Sequence, residues 1–198
     1  RALGQAHQRA AARPRVFVLD TLKLSMQGWD NLSFFEPDRS WPVAYHDMLA
    51  GSGHVAAADL IDTPGLHGLI TPHDYQARGL GGIYEPEAHA DSLVLGHKLM
   101  LCEMDTRTFT GSEGPVFGSA SDVAEFEAIT WRNVATSITR GFHSYYMDVH
   151  TDWFADAAIQ RVIHRQIEVL HAALHWPHAD VPGIAVVIDD AATLQTNG

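Results

Sequence analysis

The sequence predicts an α/β fold built from successive βα units on a parallel sheet. Three observations carry that prediction. Short apolar runs recur along the chain, helical periodicity separates them, and Gly, Pro or Asp marks the junctions. Four such units are half of an eightfold (β/α) barrel, and a complete barrel takes about 250 residues, more than the 198 present.

The elements follow in order. Val16 to Leu19, after Pro14, reads as the first strand, running to Asp20. A loop rich in Asp, Ser, Pro and aromatic residues continues through Trp41, and Val55 to Ile61 reads as a helix. Residues 65–70 form the second expected strand, and Thr71 to Gly82 a polar loop ending in Gly-Leu-Gly-Gly. That glycine run lacks the GxGxxG pattern of a dinucleotide site and reads as a mobile loop. Residues 98–103 are the third strand, followed by Met104 and Asp105.

The next helix has the strongest signal. Ser121 and Asp122 stand at its start, Glu125 completes a capping box, and Gly141 supplies the stop. Val123, Phe126, Thr130/Trp131, Val134 and Ile138 share one face, which places Trp131 in the core. Residues 143–148 are the fourth strand. Asp156 opens a last helix with Ile159, Val162, Ile163, Ile167, Leu170 and Leu174 on one stripe. Pro177 and Pro182 interrupt the chain, and Gly183 to Ile188 reads as a fifth strand beyond a boundary. The expected division is therefore 1–178 for the half barrel and 179–198 for a linker and the first strand of a following domain. With Arg1 at one end and an unfinished unit at the other, the chain reads as a piece of something longer.

Composition narrows the function. Apolar residues make up 46% and charged residues 19%, which excludes a disordered chain. The net charge of −11 argues against nucleic acid and anionic membranes as partners, and no apolar run approaches a membrane span. Cys102 is the lone cysteine, so neither a disulfide framework nor a cysteine zinc cluster can form within one chain; it reads as a buried core thiol. The 13 histidines are scattered without tight ligand spacing, even His171 and His175 at i and i+4, and no functional metal or cofactor is expected.

In parallel βα architectures, chemistry sits where strands end. Here the strand ends supply Thr71, His73, Asp74, Tyr75 and Arg78, then Glu103, Asp105 and Arg107, then Asp148 and His150. A carboxylate on a rigid strand end suits a nucleophile, with Arg78 or Arg107 able to keep it ionised. Tyr145 and Tyr146 face opposite ways, so one of them at most lines a pocket.

The runs ITPHDYQARGLGG, DSLVLGHKLMLCEMDTRT and RNVATSITRGFHSYYMDVHTDWF, in this order, resemble the C-terminal half of a β-galactosidase-like barrel of glycoside hydrolase family 42. The likeness covers about residues 45–175, and IAVVIDDAAT resembles the opening strand of that family's next, flavodoxin-like domain. The resemblance implies strands five to eight, with Glu103 as the nucleophile of a retaining hydrolase. It implies Tyr75, Arg78, Asp105, Arg107, Tyr146, Asp148 and Trp153 as groups shaping a carbohydrate site. The family's acid/base glutamate, usually after Asn, has no Asn-Glu counterpart here, and neither Glu36 nor Glu85 recommends itself as a substitute. The alternatives are a non-catalytic carbohydrate-binding module and a half barrel that closes its ring as a homodimer.

Overall fold

In a computed structural model, the described residues are 18–20 (backbone only), 57–75, 77–112, 114, 118–149, 152–177 and 183–187. The elements in chain order are β1 (Val18–Asp20), α1 (Ala57–Ile61), β2 (Gly68–Pro72), α2 (Ala90–Leu95), β3 (Leu99–Met104), α3 (Val123–Arg140), β4 (His143–Tyr146) and α4 (Ala157–Ala173). The strands form one parallel sheet in the order β1-β2-β3-β4.

Local chemistry sets the helix ends. Asp122 caps α3 by accepting from the Glu125 amide at 2.8 Å, while Glu125 reaches back to the Ser121 amide at 2.8 Å and to its hydroxyl. This is the reciprocal capping box expected from the sequence. Gly141 ends α3 at φ 72°, a left-handed turn that glycine takes without a Cβ clash. Asp156 caps α4 through the amides of Ala158 and Ile159 at 2.7 and 3.2 Å.

Register decides what each face of the sheet carries. Gly68, Ile70 and Pro72 pair with Leu99, Leu101 and Glu103, and the last two pair with His143 and Tyr145. Residues paired in this way point to the same side. The alternate set, Leu69, Met100, Cys102 and Met104, packs with Leu93 of α2 and Val134 of α3 into the main core. Leu60 and Ile61 of α1 and Val169 and Leu170 of α4 join the same cluster. All four helices therefore contribute to one face. On the other face Leu99 is exposed, and Ile70 and Leu101 are only half-buried.

Several boundaries differ from the sequence reading. β2 starts later than 65–70 because residues 62–65 turn, and it continues through Thr71 and Pro72. β4 stops at Tyr146 rather than 148. The six-residue α2 had no counterpart in the sequence reading. On α4 the buried positions are Ile159, Val162, Gln166 and Ala173, whereas Ile167 and Leu174 face solvent. The expected fifth strand is not formed over 183–187, where Ile184 and Val187 are 96% and 93% exposed and no described strand pairs with them. His150, Ile188, the region around Trp41, residues 1–17 and the end of the chain lie outside the described residues. No described helix is long and apolar enough to cross a membrane.

Candidate active site

The C-terminal ends of β2, β3 and β4 converge on a set of charged and phenolic side chains. Glu103 is the next-to-last residue of β3, on the face opposite the described helices, and is 7% exposed. Tyr145 stands opposite it in the β4 register, and its hydroxyl donates to Glu103 Oε1 at 2.7 Å. A carboxylate held by backbone on one strand and by a phenol on the next has a fixed orientation and a partly dry setting. Those are the properties a strand-end nucleophile requires.

Asp105, two residues on, has a different role. Its Oδ1 lies 3.0 Å from Arg78 Nη1 and 3.1 Å from His73 Nε2. Burial raises the carboxyl pKa, but the Arg78 charge and the His73 contact outweigh it and hold Asp105 down at about 2. Arg78 therefore ion-pairs Asp105. Its Nη2 also donates to the His73 carbonyl at 2.8 Å and its Nε to the Asp74 carbonyl at 3.3 Å. Each guanidinium nitrogen is engaged within the protein, so Arg78 braces the site from inside it. Gly118, at φ 75°, makes room for this, since a Cβ there would come within 2.5 Å of Arg78 Cγ.

Tyr75 lies under the guanidinium of Arg78, 3.9 Å from its carbon to the ring centre. Burial, then the negative charge of Asp105, pushes its phenol up to about 12, and Glu87 and Glu103 act in the same direction. Tyr75 is thus a neutral hydroxyl in the field of three carboxylates. The Gly79–Gly82 run, expected to be mobile, is tied at several points. Ile83 donates to the Ala77 carbonyl at 2.8 Å, and Arg132 of α3 donates to the carbonyls of Gly79 and Arg78 at 2.8 and 2.9 Å.

The strand-end residues near β4 divide. Tyr146 faces the helices: it donates to Gln166 of α4 and meets Phe154 edge-on at 5.8 Å. Tyr145 takes the inward position that the sequence reading gave to Tyr146. Trp153 is 2% exposed, packed beneath the turn at Gly111, with Thr110 donating to its carbonyl at 2.9 Å. The Arg107 guanidinium lies 5.2 Å from that indole ring. A ring enclosed in this way forms a wall; its faces are not open for a sugar to stack on. Asp148 accepts from the Phe154 amide at 3.3 Å and shapes the turn after β4.

Gln166 and Arg132 were not singled out by the sequence, whereas His73 stood among the strand-end residues and Tyr145 was one of the two tyrosines of which at most one could face inward. Cys102 is buried as expected, and burial pushes its thiol well above the usual range. Among the described residues no group of three His, Cys, Asp or Glu side chains is placed to hold a metal ion. Two open cavities, about 440 and 710 Å³, lie around α2 and the Arg140 end of α3, and Glu103 lines neither. No protein-family model matches the chain, and no curated protein or solved structure matches it either.

Proposed function

We propose that this chain carries the nucleophile-bearing part of a retaining glycoside hydrolase, acting on β-galactosides or related β-glycosides, in a partial (β/α)8 barrel. The observation that carries this reading is Glu103, fixed at a strand end by the Tyr145 hydroxyl at 2.7 Å. Glu103 would attack the anomeric carbon and form a glycosyl-enzyme ester while the aglycone leaves. Water would then release the sugar with the carboxylate restored. That chemistry needs a second carboxyl as acid/base, about 5–5.5 Å from the first, and no cofactor.

The barrel part of the proposal is supported by the sheet. A doubly wound sheet carries helices on both faces, whereas a barrel arc carries them outside only. Here each of the four described helices packs on one face, and the described strands lie in sequence order. The resemblance of the three motif runs to family 42 enzymes points the same way.

A second reading is a non-catalytic carbohydrate-binding or self-associating half barrel. It is favoured by the half-covered face of Ile70 and Leu101 and by the exposed Leu99. Four parallel strands leave two edges that a second copy could pair.

The test is intact-mass spectrometry after incubation with a 2-deoxy-2-fluoro-β-galactoside bearing a dinitrophenolate leaving group. That group departs without an acid. A mass gain that disappears in Glu103→Gln supports the hydrolase. Absence of a mass gain in the wild type, together with retained sugar binding, supports the second reading.

A further inference from the structure

His73, Arg78 and Asp105 make one closed, buried unit. Their side chains are 0%, 6% and 10% exposed, and both partners meet the same oxygen of Asp105. The unit closes the 74–83 loop at its base. Asp74 Oδ1 accepts from the Ala77 amide at 2.9 Å inside that loop, and Arg132 grips it from α3. The loop carries Tyr75, which lies against Arg78 and within the field of Glu103.

The protonation of His73 follows from its contacts. Asp105 Oδ1 faces Nε2 at 3.1 Å, so a neutral His73 presents an N–H rather than a lone pair to that carboxylate oxygen. A second proton would have to go on Nδ1. Neither ring nitrogen meets hydrogen-bond geometry with a described residue, so a proton on Nδ1 would be buried without an acceptor. The groups facing the ring are Asp105 beyond β3, Arg78 in the same loop, Arg132 from α3, and the Tyr84 ring at 5.0 Å. Only Asp105 favours an imidazolium; the two arginines repel it, and the Tyr84 phenol is kept neutral by burial.

We infer that His73, Arg78 and Asp105 are positioning residues that lock the Tyr75 loop beside Glu103, and that protonation of His73 unlocks it. Burial, then the charge of Arg78, holds the imidazole down to about 4, which agrees with a lock that is closed near neutral pH. The consequence for catalysis rests on the retaining-hydrolase reading; the lock does not.

Two measurements on the full chain test this. The first is the nitrogen-15 spectrum of the histidine rings, in which His73 is expected as the neutral Nε2–H tautomer at pH 7.5. The second is amide hydrogen exchange at Ala77 and Ile83, corrected for intrinsic rates, between pH 7 and pH 4. Protection in the wild type should fall at least ten-fold as pH drops from 6.5 to 4. His73→Gln keeps an Nε2 donor but takes up no proton, so its protection should stay level over that range. Equal loss in both proteins overturns the inference, and so does an Nδ1–H or doubly protonated ring at pH 7.5, which decides the matter alone if the variant does not fold. Labelling by the fluoroglycoside, followed over the same pH range, separates the two readings. An intact lock with no labelling at any pH defeats the hydrolase and leaves the lock standing. Labelling without the exchange change defeats the lock alone.

Discussion

The two ends of the sheet are held together by different physics. At the C-terminal end of the strands, Asp105, Arg78 and His73 are buried together, and Glu103 is tied to Tyr145. At the other end, Phe142 and Val94 meet Ile138 and Leu170 around an open cleft of about 440 Å³. The ions there are Arg140 with Glu85 and Asp91, at 2.6 and 2.9 Å, partly open to solvent. Buried charge is tolerable only with its partner present, whereas apolar packing depends on volume and hardly on pH. One end should therefore be fragile to charge removal and to acid, and the other to loss of volume.

The sharpest way to break this contrast is a matched pair of variants. Arg78→Met leaves Asp105 buried without its cation and should cost about 3–5 kcal/mol. Phe142→Ala should cost a similar amount, about 3–5 kcal/mol, through its cavity. Urea unfolding at pH 7 and pH 5 tells them apart, because the Phe142→Ala penalty should be the same at both. If Arg78→Met proves as mild as a surface change, the contrast fails.

Acid comes next. Unfolded His73 binds a proton near pH 6.5 and folded His73 only near 4. Between these values the unfolded chain holds more protons, so stability is full above 6.5 and declines toward 4. The loss from this group is up to about 3 kcal/mol. Asp105 adds a second decline from about 3.8 to about 2, where the unfolded carboxyl protonates first. Chemical denaturation across pH 7 to 4 should show the first decline in the wild type and lose it in His73→Gln.

Smaller effects sharpen the picture. Tyr145→Phe removes one hydrogen bond to a carboxylate and should cost about 1–2 kcal/mol in thermal unfolding, with slower fluoroglycoside labelling. Arg140→Ala should cost about 1 kcal/mol or less, because its partners sit in water. A larger penalty at Arg140 than at Tyr145 would reverse the assignment of the two ends.

How much of this could be read in advance depended on the range of the interaction. α3 was legible because its cap, its apolar period and its stop all lie within the segment itself. α2 was not, since it has six residues and its N-cap residue, His89, offers no side-chain capping hydrogen bond. Gln166 is buried because Thr130 and Tyr146 satisfy its amide, and no periodicity in α4 announces partners on other elements. In the site, Glu103 and Asp105 were visible as carboxylates closing an apolar run. Their division of labour was not, because Arg78 and His73 reach Asp105 across more than twenty residues of chain. The choice between Tyr145 and Tyr146 turned on strand register, which only the pairing with β3 settles.

The plain strand order has a consequence for how the molecule assembles. Among the described residues, β2, β3 and β4 each pair with the strand that precedes them in sequence. For a parallel sheet, pairing each strand with its neighbour in sequence keeps the contact order lower than a reshuffled strand order would. Every βα unit can dock on the growing edge as it leaves the ribosome, and the charged unit of His73, Arg78 and Asp105 can close once β3 is in place. The contacts of Asp105 with His73 and Arg78 draw only on β2, the loop after it and the end of β3, whereas Tyr145 is contributed by β4, the last described strand to be synthesised.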